Sequence, residues 1–325
     1  AHAARAPHDI AYVGLPQPVL TYGALDRAVD ATAGRLAALG LAPGDVAVLG
    51  TTDLVRQLVA GLALARLGVA QARAPFPPAH VALALVDHRA DGTPYRRAEA
   101  LDDLLAEVFT AAAAPVPVHG DGDAVLLYAP SSGTTGTAKH VPITHTLARL
   151  RAERRAAEVA GVPARTGQAL RLACHIGLQS TFGFGSALHA LASGGTVVAP
   201  ELDGARIASW LLHSRVSYLV TSPIGLARMV DALPAQRVPN ALDAIEVGGA
   251  TLPPALLAKV RERLCGVVFV GYGLTECGRV AGAEAATLAG IPDAVGQPFP
   301  DVELAVRDDA GAPVPAGTPG LVWVR

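Results

Sequence analysis

The sequence predicts an α/β protein, in which parallel sheets flanked by helices form a layered core and a smaller antiparallel β subdomain begins near the C-terminus. Short apolar runs that suit buried strands alternate with longer amphipathic segments along most of the chain. Of the 325 residues, 51% are hydrophobic and only 17% are charged, so the chain can bury a large core. Near the C-terminus, two apolar runs flank a turn at Asp308, Asp309 and Gly311, which is typical of antiparallel strands.

The first third of the chain begins the alternation. A helix is expected over 24–39, with Thr21 as its cap and Gly40 at its end, because apolar residues recur there at helical spacing. An apolar run at 46–49 predicts a buried strand, and a second periodic segment at 53–67 predicts the next helix. A strand over 81–86, a helix over 96–109 and a linker over 111–122 follow with less regular patterning.

Later elements repeat the same pattern. Apolar runs predict strands at 124–128, 170–174, 196–199, 216–221, 244–247, 267–270, 304–307 and 321–324. Periodic segments predict helices at 177–192, 205–213 and 223–233, with a further helix capped by Thr144 or Thr146 and another from Pro253.

The segment between the strand at 124–128 and the following helix has the composition of a phosphate-binding loop. Gly133 and Gly136 let backbone N–H groups approach an anion closely, and Lys139 adds a positive charge. The hydroxyl donors of the loop are Ser131, Ser132, Thr134, Thr135 and Thr137. The spacing of the glycines and the lysine excludes the P-loop of nucleotide triphosphatases, and a flexible Gly/Ser/Thr linker is the alternative.

Two further strand ends carry candidate ligand-binding residues. Gly248, Gly249 and Ala250 follow the strand at 244–247, and the segment 271–276 follows the strand at 267–270. Ligands of parallel sheets bind outside the carboxyl ends of strands, so these segments and the phosphate-binding loop are expected to share one crevice. The alternative for each segment alone is a plain turn or a solvated side chain.

The second strand-end segment offers three types of ligand contact. Tyr272, followed by Gly273, can stack on a base, Thr275 can donate to a phosphate, and Glu276 can hold Mg²⁺. His175 lies between a predicted strand and a predicted helix, where it is expected to line a substrate pocket.

Residues 132–139 closely resemble the Ser-Gly-Thr-Thr-Gly-x-x-Lys signature of the adenylate-forming superfamily, and residues 272–276 match its Tyr-Gly-Leu-Thr-Glu signature. The resemblance implies ATP and Mg²⁺ as cofactors, with Tyr272 stacked on adenine, Thr275 at the α-phosphate and Glu276 on the metal. It also implies activation of a carboxylic acid as an acyl-adenylate, with Lys139, Thr275, Glu276 and His175 as catalytic residues. The acyl group then passes to a thiol of CoA or of a carrier protein.

The region around His175 is similar to the histidine-containing segment that borders the acyl pocket of acyl- and aryl-CoA synthetases. Amino-acid-activating domains of this superfamily carry an aspartate there, whereas this chain has no carboxylate at 174–198. An acyl- or aryl-activating ligase is therefore the first hypothesis. An adenylation domain of a peptide synthetase and a non-catalytic nucleotide-binding module are the alternatives.

The resemblance also predicts the division of the chain. Residues 1–275 are expected to form interleaved α/β subdomains, and 276–325 an incomplete β-rich third subdomain. The mobile C-terminal domain of the superfamily, with its catalytic lysine, is expected to be absent. The chain is therefore expected to bind ATP and acid but to form the adenylate poorly by itself.

The composition of the chain limits which partners it can bind and in which cellular compartment it is expected. The formal net charge of −2 gives no electrostatic case for nucleic acid, and no apolar run is long enough to span a membrane. The basic run of Arg149, Arg151, Arg154 and Arg155 is interpreted as a solvated helix face. Three widely spaced cysteines and the lack of a signal peptide predict a reducing, cytoplasmic location.

Overall fold

The described residues of the chain form three β-sheets in a computed structural model. The structure describes residues 2–14, 18–87, 94–110, 113–131, 139–160, 169–291 and 293–325, with side chains at 157–160 left aside. The described helices are α1 (His2–Arg5), α2 (Tyr22–Ala38), α3 (Leu54–Leu67), α4 (Leu101–Leu104), α5 (His145–Ala160), α6 (Thr181–Ala192), α7 (Ile207–Ser214), α8 (Pro223–Ala232) and α9 (Pro254–Arg263).

The larger sheet has nine strands in the order β15-β14-β13-β12-β11-β9-β10-β1-β2. Its strands are β1 (Ile10–Val13), β2 (Val19–Thr21), β9 (Arg171–Cys174), β10 (Thr196–Val198), β11 (Tyr218–Thr221), β12 (Ala244–Gly248), β13 (Val268–Leu274), β14 (Gly278–Glu284) and β15 (Gln297–Pro298). In this order, the adjacent strands β13, β12, β11, β9, β10 and β1 pair in parallel. Strands β2, β14 and β15 pair antiparallel at the two edges. All residues of β11 and β12 are buried, as expected for a parallel sheet covered on both faces.

The second sheet has six strands in the order β6-β5-β3-β4-β7-β8. Its strands are β3 (Val46–Gly50), β4 (Ala70–Ala72), β5 (Leu83–Val86), β6 (Ala98–Ala100), β7 (Val125–Ser131) and β8 (Lys139–Thr144). The pairs are parallel except for β7 and β8, which form an antiparallel pair at one edge. A separate two-stranded antiparallel sheet contains only β16 (Leu304–Arg307) and β17 (Leu321–Val324).

Helices α2 and α3 connect the two large sheets. Helix α2 packs against β1 and β2 of the nine-stranded sheet and against α3, which packs on β3 and β4 of the six-stranded sheet. Both helices begin at side-chain caps: Thr21, the predicted cap, accepts a hydrogen bond from Ala24 N, and Asp53 accepts one from Arg56 N. The Tyr22 hydroxyl donates to the Gly195 carbonyl at 2.7 Å, and thereby ties the start of α2 to the nine-stranded sheet.

The predicted fold class is confirmed, since parallel sheets covered by helices precede a small antiparallel sheet. The helix predicted over 96–109 is wrong. The chain instead forms β6, which pairs in parallel with β5, and then the single turn of α4. Leu101, Leu104 and Leu105 have helical spacing and are buried, but strand pairing of 98–100 shortens the helix. Beyond residue 275, β14 and β15 still belong to the nine-stranded sheet.

No described helix has both the length and the apolar composition needed to cross a membrane.

Candidate active site

A cavity of about 590 Å³ opens where three neighbouring strands of the nine-stranded sheet end. Helices α5 and α6 supply its other walls. Six of the residues predicted from sequence line this cavity: Gly248, Gly249, Ala250, Tyr272, Gly273 and Thr275. They meet because β12 and β13 are parallel neighbours, with Gly248 paired to Gly271, so that both strands end at the same edge.

Glycine is required at two of these positions because neighbouring atoms lie too close to the backbone for a side chain to fit. A Cβ atom on Gly248 would lie 2.8 Å from Cε1 of Phe182, a ring of α6 that lines the cavity. A Cβ atom on Gly273 would lie 2.3 Å from the backbone carbonyl oxygen of Gly278. A side chain at either position would therefore displace the cavity wall, and at Gly273 it would displace the backbone itself.

Most of the predicted phosphate-binding loop, from Ser132 to Thr137, lies outside the described residues. Its two ends are described: Ser131 ends β7, Lys139 begins β8, and the two residues are paired across the hairpin. Ser131 is buried and Lys139 is exposed. Neither is among the described residues that line the cavity. Helix α5 follows β8 directly, with Thr144 accepting a hydrogen bond from Leu147 N, and it reaches the cavity with three arginines.

Arg151 of α5 holds the segment that follows β13. Its Nη2 donates to the backbone carbonyl of Glu276 at 3.1 Å and lies 3.5 Å from that of Thr275. Partial burial of the guanidinium lowers the pKa of Arg151 from its ordinary value. A Cβ atom on Gly278 would lie 3.0 Å from the Arg151 Nε, so the side chain and the turn are in close contact. Arg151 therefore connects the helix after the phosphate-binding loop to the Tyr-Gly-Leu-Thr-Glu segment.

Glu276 follows Thr275, which lines the cavity, and its own side chain is exposed. No described residue forms an ion pair with its carboxylate, and the described part of the chain has no group of three or more His, Cys, Asp or Glu side chains suited to a metal. Mg²⁺ is commonly held by one or two carboxylates together with substrate phosphates and water. An exposed carboxylate beside a nucleotide-sized cavity fits that pattern.

His175 follows β9, but its ring lies away from the cavity. The centroid of the imidazole is 5.6 Å from that of Trp210, and the backbone N–H of His175 donates to the Val220 carbonyl. His175 is not among the described residues that line the cavity, whereas its neighbour Ile176 is. Burial lowers the pKa of His175 to about 4, so the imidazole is neutral near pH 7. Its catalytic role stays a prediction.

The buried imidazole predicts a loss of stability in weak acid. With a folded pKa of about 4 against an ordinary value of 6.5, the unfolded chain binds the proton first, so the free energy of unfolding falls as pH decreases from 6.5 to 4. For this group the loss approaches about 3 kcal/mol. Urea unfolding of wild type and His175→Phe across this range is expected to show a weaker pH dependence in the variant.

The matched control is His213→Phe, because His213 is an exposed histidine that contacts Ser209 of its own helix. It is expected to leave the pH dependence of unfolding unchanged. An equally steep pH dependence in His175→Phe would contradict the assignment of this effect to His175.

The structure also brings a cluster of charged side chains to the cavity that the sequence analysis missed. Glu246 of β12 is 1% exposed and accepts hydrogen bonds from Arg155 of α5, from Arg279 of β14 and from the Tyr218 hydroxyl at 3.0 Å. Burial alone raises the pKa of Glu246, but the charges of Arg155 and Arg279 outweigh it, and the pKa of the carboxyl lies below its ordinary value. The sequence signal that could have revealed this cluster is the single glutamate inside an otherwise apolar strand.

The interpretation of the basic run in α5 as a solvated face is wrong for three of its four arginines. Arg149 does lie on the surface, where it pairs with Glu153 at 2.7 Å. Arg151, Arg154 and Arg155 instead line the cavity, and Arg155 is only 4% exposed. Arginines and glutamates alternate along the sequence, and this alternation conceals the difference. The arrangement in space is different, because residues three and four positions apart share one face of the helix.

The sequence profile of the AMP-binding enzyme family matches residues 78–325. A 4-coumarate–CoA ligase-like protein of Arabidopsis thaliana is 33% identical over 219 residues, which are 64% of this chain and 37% of the relative. A probable non-canonical nonribosomal peptide synthetase of Salinispora arenicola is 31% identical over 218 residues, which are 65% of this chain and 2% of that relative. The chain therefore spans well under half the length of these two curated relatives.

Solved structures share the fold. The o-succinylbenzoate coenzyme A synthetase of Bacillus subtilis, in its complex with ATP and magnesium, superposes with a TM-score of 0.86 at 22% identity, covering 100% of this chain and 69% of that one. The N-terminal domain of FACL13 from Mycobacterium tuberculosis gives a TM-score of 0.82 at 23% identity and covers 100% of this chain and 86% of that one. The resemblance to adenylate-forming enzymes is thus confirmed, and the chain belongs to the AMP-binding enzyme family.

Proposed function

We propose that this chain binds ATP with Mg²⁺ and a carboxylic acid in the cavity at the ends of β12 and β13, and joins them into an acyl-adenylate. The observation that carries the proposal is the meeting of Gly248–Ala250 and Tyr272–Thr275 around one cavity of about 590 Å³. This volume lies within the range of pockets that enclose small-molecule ligands. The acyl group is then transferred to a thiol, either of CoA or of a carrier protein.

Residues that line the cavity, together with Lys139 and Glu276 outside its lining, suit the separate parts of the nucleotide. The ring of Tyr272 offers a stacking surface for adenine, and the glycines at 248 and 249 leave room for a flat base beside it. The Thr275 hydroxyl donates to the α-phosphate, and Lys139 supplies a positive charge to the phosphates. Glu276 would hold Mg²⁺, which would neutralise phosphate charge.

The proposed reaction needs orientation and charge stabilisation rather than a covalent enzyme intermediate. One oxygen of the substrate carboxylate attacks the α-phosphorus, a new P–O bond forms, and the bond from the α-phosphorus to the bridging oxygen of pyrophosphate breaks. Thr275 holds the phosphate under attack, and Lys139 offsets the negative charge on the departing pyrophosphate. In the second step a thiolate attacks the acyl carbon, and AMP leaves with the electron pair of the acyl–oxygen bond.

A non-amino-acid substrate is favoured over an amino acid. Glu246 is the one carboxylate among the described residues that line the cavity, and it already accepts hydrogen bonds from Arg155, Arg279 and Tyr218. An α-ammonium group would find arginines rather than a carboxylate partner in this part of the cavity. An acyl- or aryl-acid ligase is therefore the proposed class, and amino-acid activation is the second candidate.

The proposal is tested by calorimetric titration of the chain with MgATP. Lys139→Ala and Glu276→Gln are each expected to weaken binding about tenfold or more, because contacts to charged groups contribute about 1.5–3 kcal/mol. Arg149→Ala is the matched control, since Arg149 lies on the exposed face of α5 and pairs with Glu153. Absence of MgATP binding by the wild type, or unchanged affinity in both variants, would overturn the proposal.

Pyrophosphate exchange across a panel of acids then separates the two substrate classes. Exchange that depends on simple carboxylic acids and does not require an α-amine is expected. Exchange supported by amino acids alone would favour the second candidate.

A further inference from the structure

We propose that His140 is a positioning residue for Lys139, and that it keeps the lysine on the side of the six-stranded sheet whose core is shared with the nine-stranded sheet. The inference rests on the proposed function, because it concerns the lysine that is proposed to contact the phosphates of ATP. It is carried by the register of the β7–β8 hairpin, by the contacts of the His140 ring and by the alternation of side chains along β8.

Side chains of the β7–β8 hairpin alternate between the two faces of the six-stranded sheet. Ser131 pairs with Lys139 across the hairpin, and the neighbouring pair, which includes His140, lies on the opposite face. Two positions along from Lys139, the pair of Ala129 and Val141 packs in the core cluster that contains buried strand residues of both large sheets. Lys139 therefore lies on the side that adjoins the nine-stranded sheet, and His140 lies on the other side.

The His140 ring is held by contacts on its own face of the sheet. Its Nε2 lies 3.1 Å from the carbonyl oxygen of Pro75, to which it donates a hydrogen bond. The ring centroid of His140 lies 4.7 Å from that of Phe76, which it meets edge-on, and Phe76 lies 5.2 Å from the ring centroid of Tyr128. Phe76 is buried and belongs to a core cluster that is separate from the one on the Lys139 side. These contacts connect the beginning of β8 to a buried aromatic group.

The position of β8 in the sheet explains why such a contact matters. Strand β8 is at the edge of the six-stranded sheet, and among the described strands it pairs only with β7. It also contains Pro142, which has no N–H group to donate to a neighbouring strand. A slip of one residue would exchange the two faces of the strand, so the contacts of His140 select the register in which Lys139 adjoins the nine-stranded sheet.

The backbone of β8 sets the position from which the Lys139 side chain extends. That side chain is exposed, and none of the ion pairs between described residues includes it. The place at which its ammonium group can meet a phosphate therefore depends on the strand that carries it. Because His140 is the next residue of this strand, loss of its contacts is expected to weaken phosphate binding through Lys139.

The test is a double-mutant cycle on Lys139 and His140, measured as the affinity for MgATP by calorimetry. His140→Ala is expected to weaken binding about fivefold, which is the effect of about one hydrogen bond. In the Lys139→Ala background, the further change His140→Ala is expected to have no effect, because the lysine through which it acts is gone. His140→Gln, which keeps a side-chain donor for the Pro75 carbonyl, is expected to retain more affinity than His140→Ala.

A merely structural role of His140 predicts a different pattern, in which the losses of the two single variants add in the double variant. His80→Ala is the matched control, because His80 is an exposed histidine of the same connection between β4 and β5, and it is expected to leave the affinity unchanged. Unchanged affinity in His140→Ala, or additive losses in the double variant, would overturn the inference. If His140→Ala fails to fold, His140→Leu takes its place in the cycle, since leucine keeps an apolar contact with Phe76 but cannot donate.

The cycle also separates this inference from the proposed function. If the wild type does not bind MgATP, the proposed function fails and the inference fails with it. If Lys139→Ala binds MgATP as tightly as the wild type, the proposed role of Lys139 fails, and so does the inference. If Lys139→Ala weakens binding and His140→Ala does not, the inference alone fails.

Discussion

Replacing Glu246 by alanine is expected to destabilise the fold by about 3–5 kcal/mol, the range measured when one partner of a buried ion pair is removed. The variant would remove the carboxylate that forms a buried ion pair with the Arg155 guanidinium, which is almost fully buried. The Tyr218 hydroxyl would lose the same partner. Urea unfolding monitored by circular dichroism measures the effect as a lower midpoint at an unchanged slope.

Two comparisons make this expectation specific. Glu153→Ala removes a carboxylate from an exposed ion pair on α5, the helix that contains Arg155. It is expected to change stability by less than about 1 kcal/mol. Tyr218→Phe removes only the hydroxyl contact and is expected to have an effect of about 1 kcal/mol. A Glu246→Ala variant as stable as wild type would show that the cluster does not hold α5, β12 and β14 together.

The contribution of the Glu246 carboxylate to the stability of the fold depends on pH. Because the pKa of Glu246 lies below its ordinary value of 4.5 in the folded state, its contribution is present above that value. The contribution is lost as the pH falls through the lower, folded pKa. Acid unfolding of wild type in this range should therefore be steeper than that of Glu246→Gln, which has no carboxyl to protonate.

Replacing Arg151 by alanine is expected to slow acyl-adenylate formation by about a hundredfold, as a small displacement of reacting groups can do. Arg151 donates to the backbone carbonyl of Glu276 and lies beside that of Thr275, so its loss frees the segment that carries the proposed phosphate and metal contacts. Single-turnover formation of the adenylate, measured at saturating acid and MgATP, reports the effect on the chemical step.

A positioning role for Arg151 predicts a pattern that mere loss of stability does not produce. The rate is expected to fall more than the affinity for MgATP, and Arg151→Lys is expected to restore part of the rate because it keeps one donor near the Glu276 carbonyl. Arg149→Ala, two residues away on the exposed face, is expected to be indistinguishable from wild type. Equal losses in Arg149→Ala and Arg151→Ala would contradict the assignment.

The sequence was sufficient to predict the fold class and the two strand-end segments that meet at the cavity. Gly248 and Tyr272 are close in space for a reason that is local in sequence: each follows an apolar run, and parallel strands end at one edge. The helices with clear caps, α2 and α3, were predicted for similarly local reasons. The roles of the individual site residues stay predictions until the variants above are measured.

Features that depend on distant residues were not predictable. Glu246 contacts Arg155 across 91 residues and Arg279 across 33, and a single sequence holds no sign of these pairings. The strand β8 was missed because it contains Pro142, a residue that strands tolerate at a sheet edge, where β8 lies. The helix predicted over 96–109 failed because apolar spacing alone does not reveal that 98–100 pair with β5.

The arrangement of two arginines on one glutamate limits how this cavity can diversify. Arg155, Glu246 and Arg279 come from three different elements, and replacing Glu246 alone breaks the buried ion pair with Arg155. A descendant protein that loses the Glu246 carboxylate therefore has to change at least two of these positions together, or acquire stabilising substitutions elsewhere first. Directed evolution of this cluster should accordingly find stable variants more readily in libraries that randomise the three codons jointly than in libraries of single substitutions.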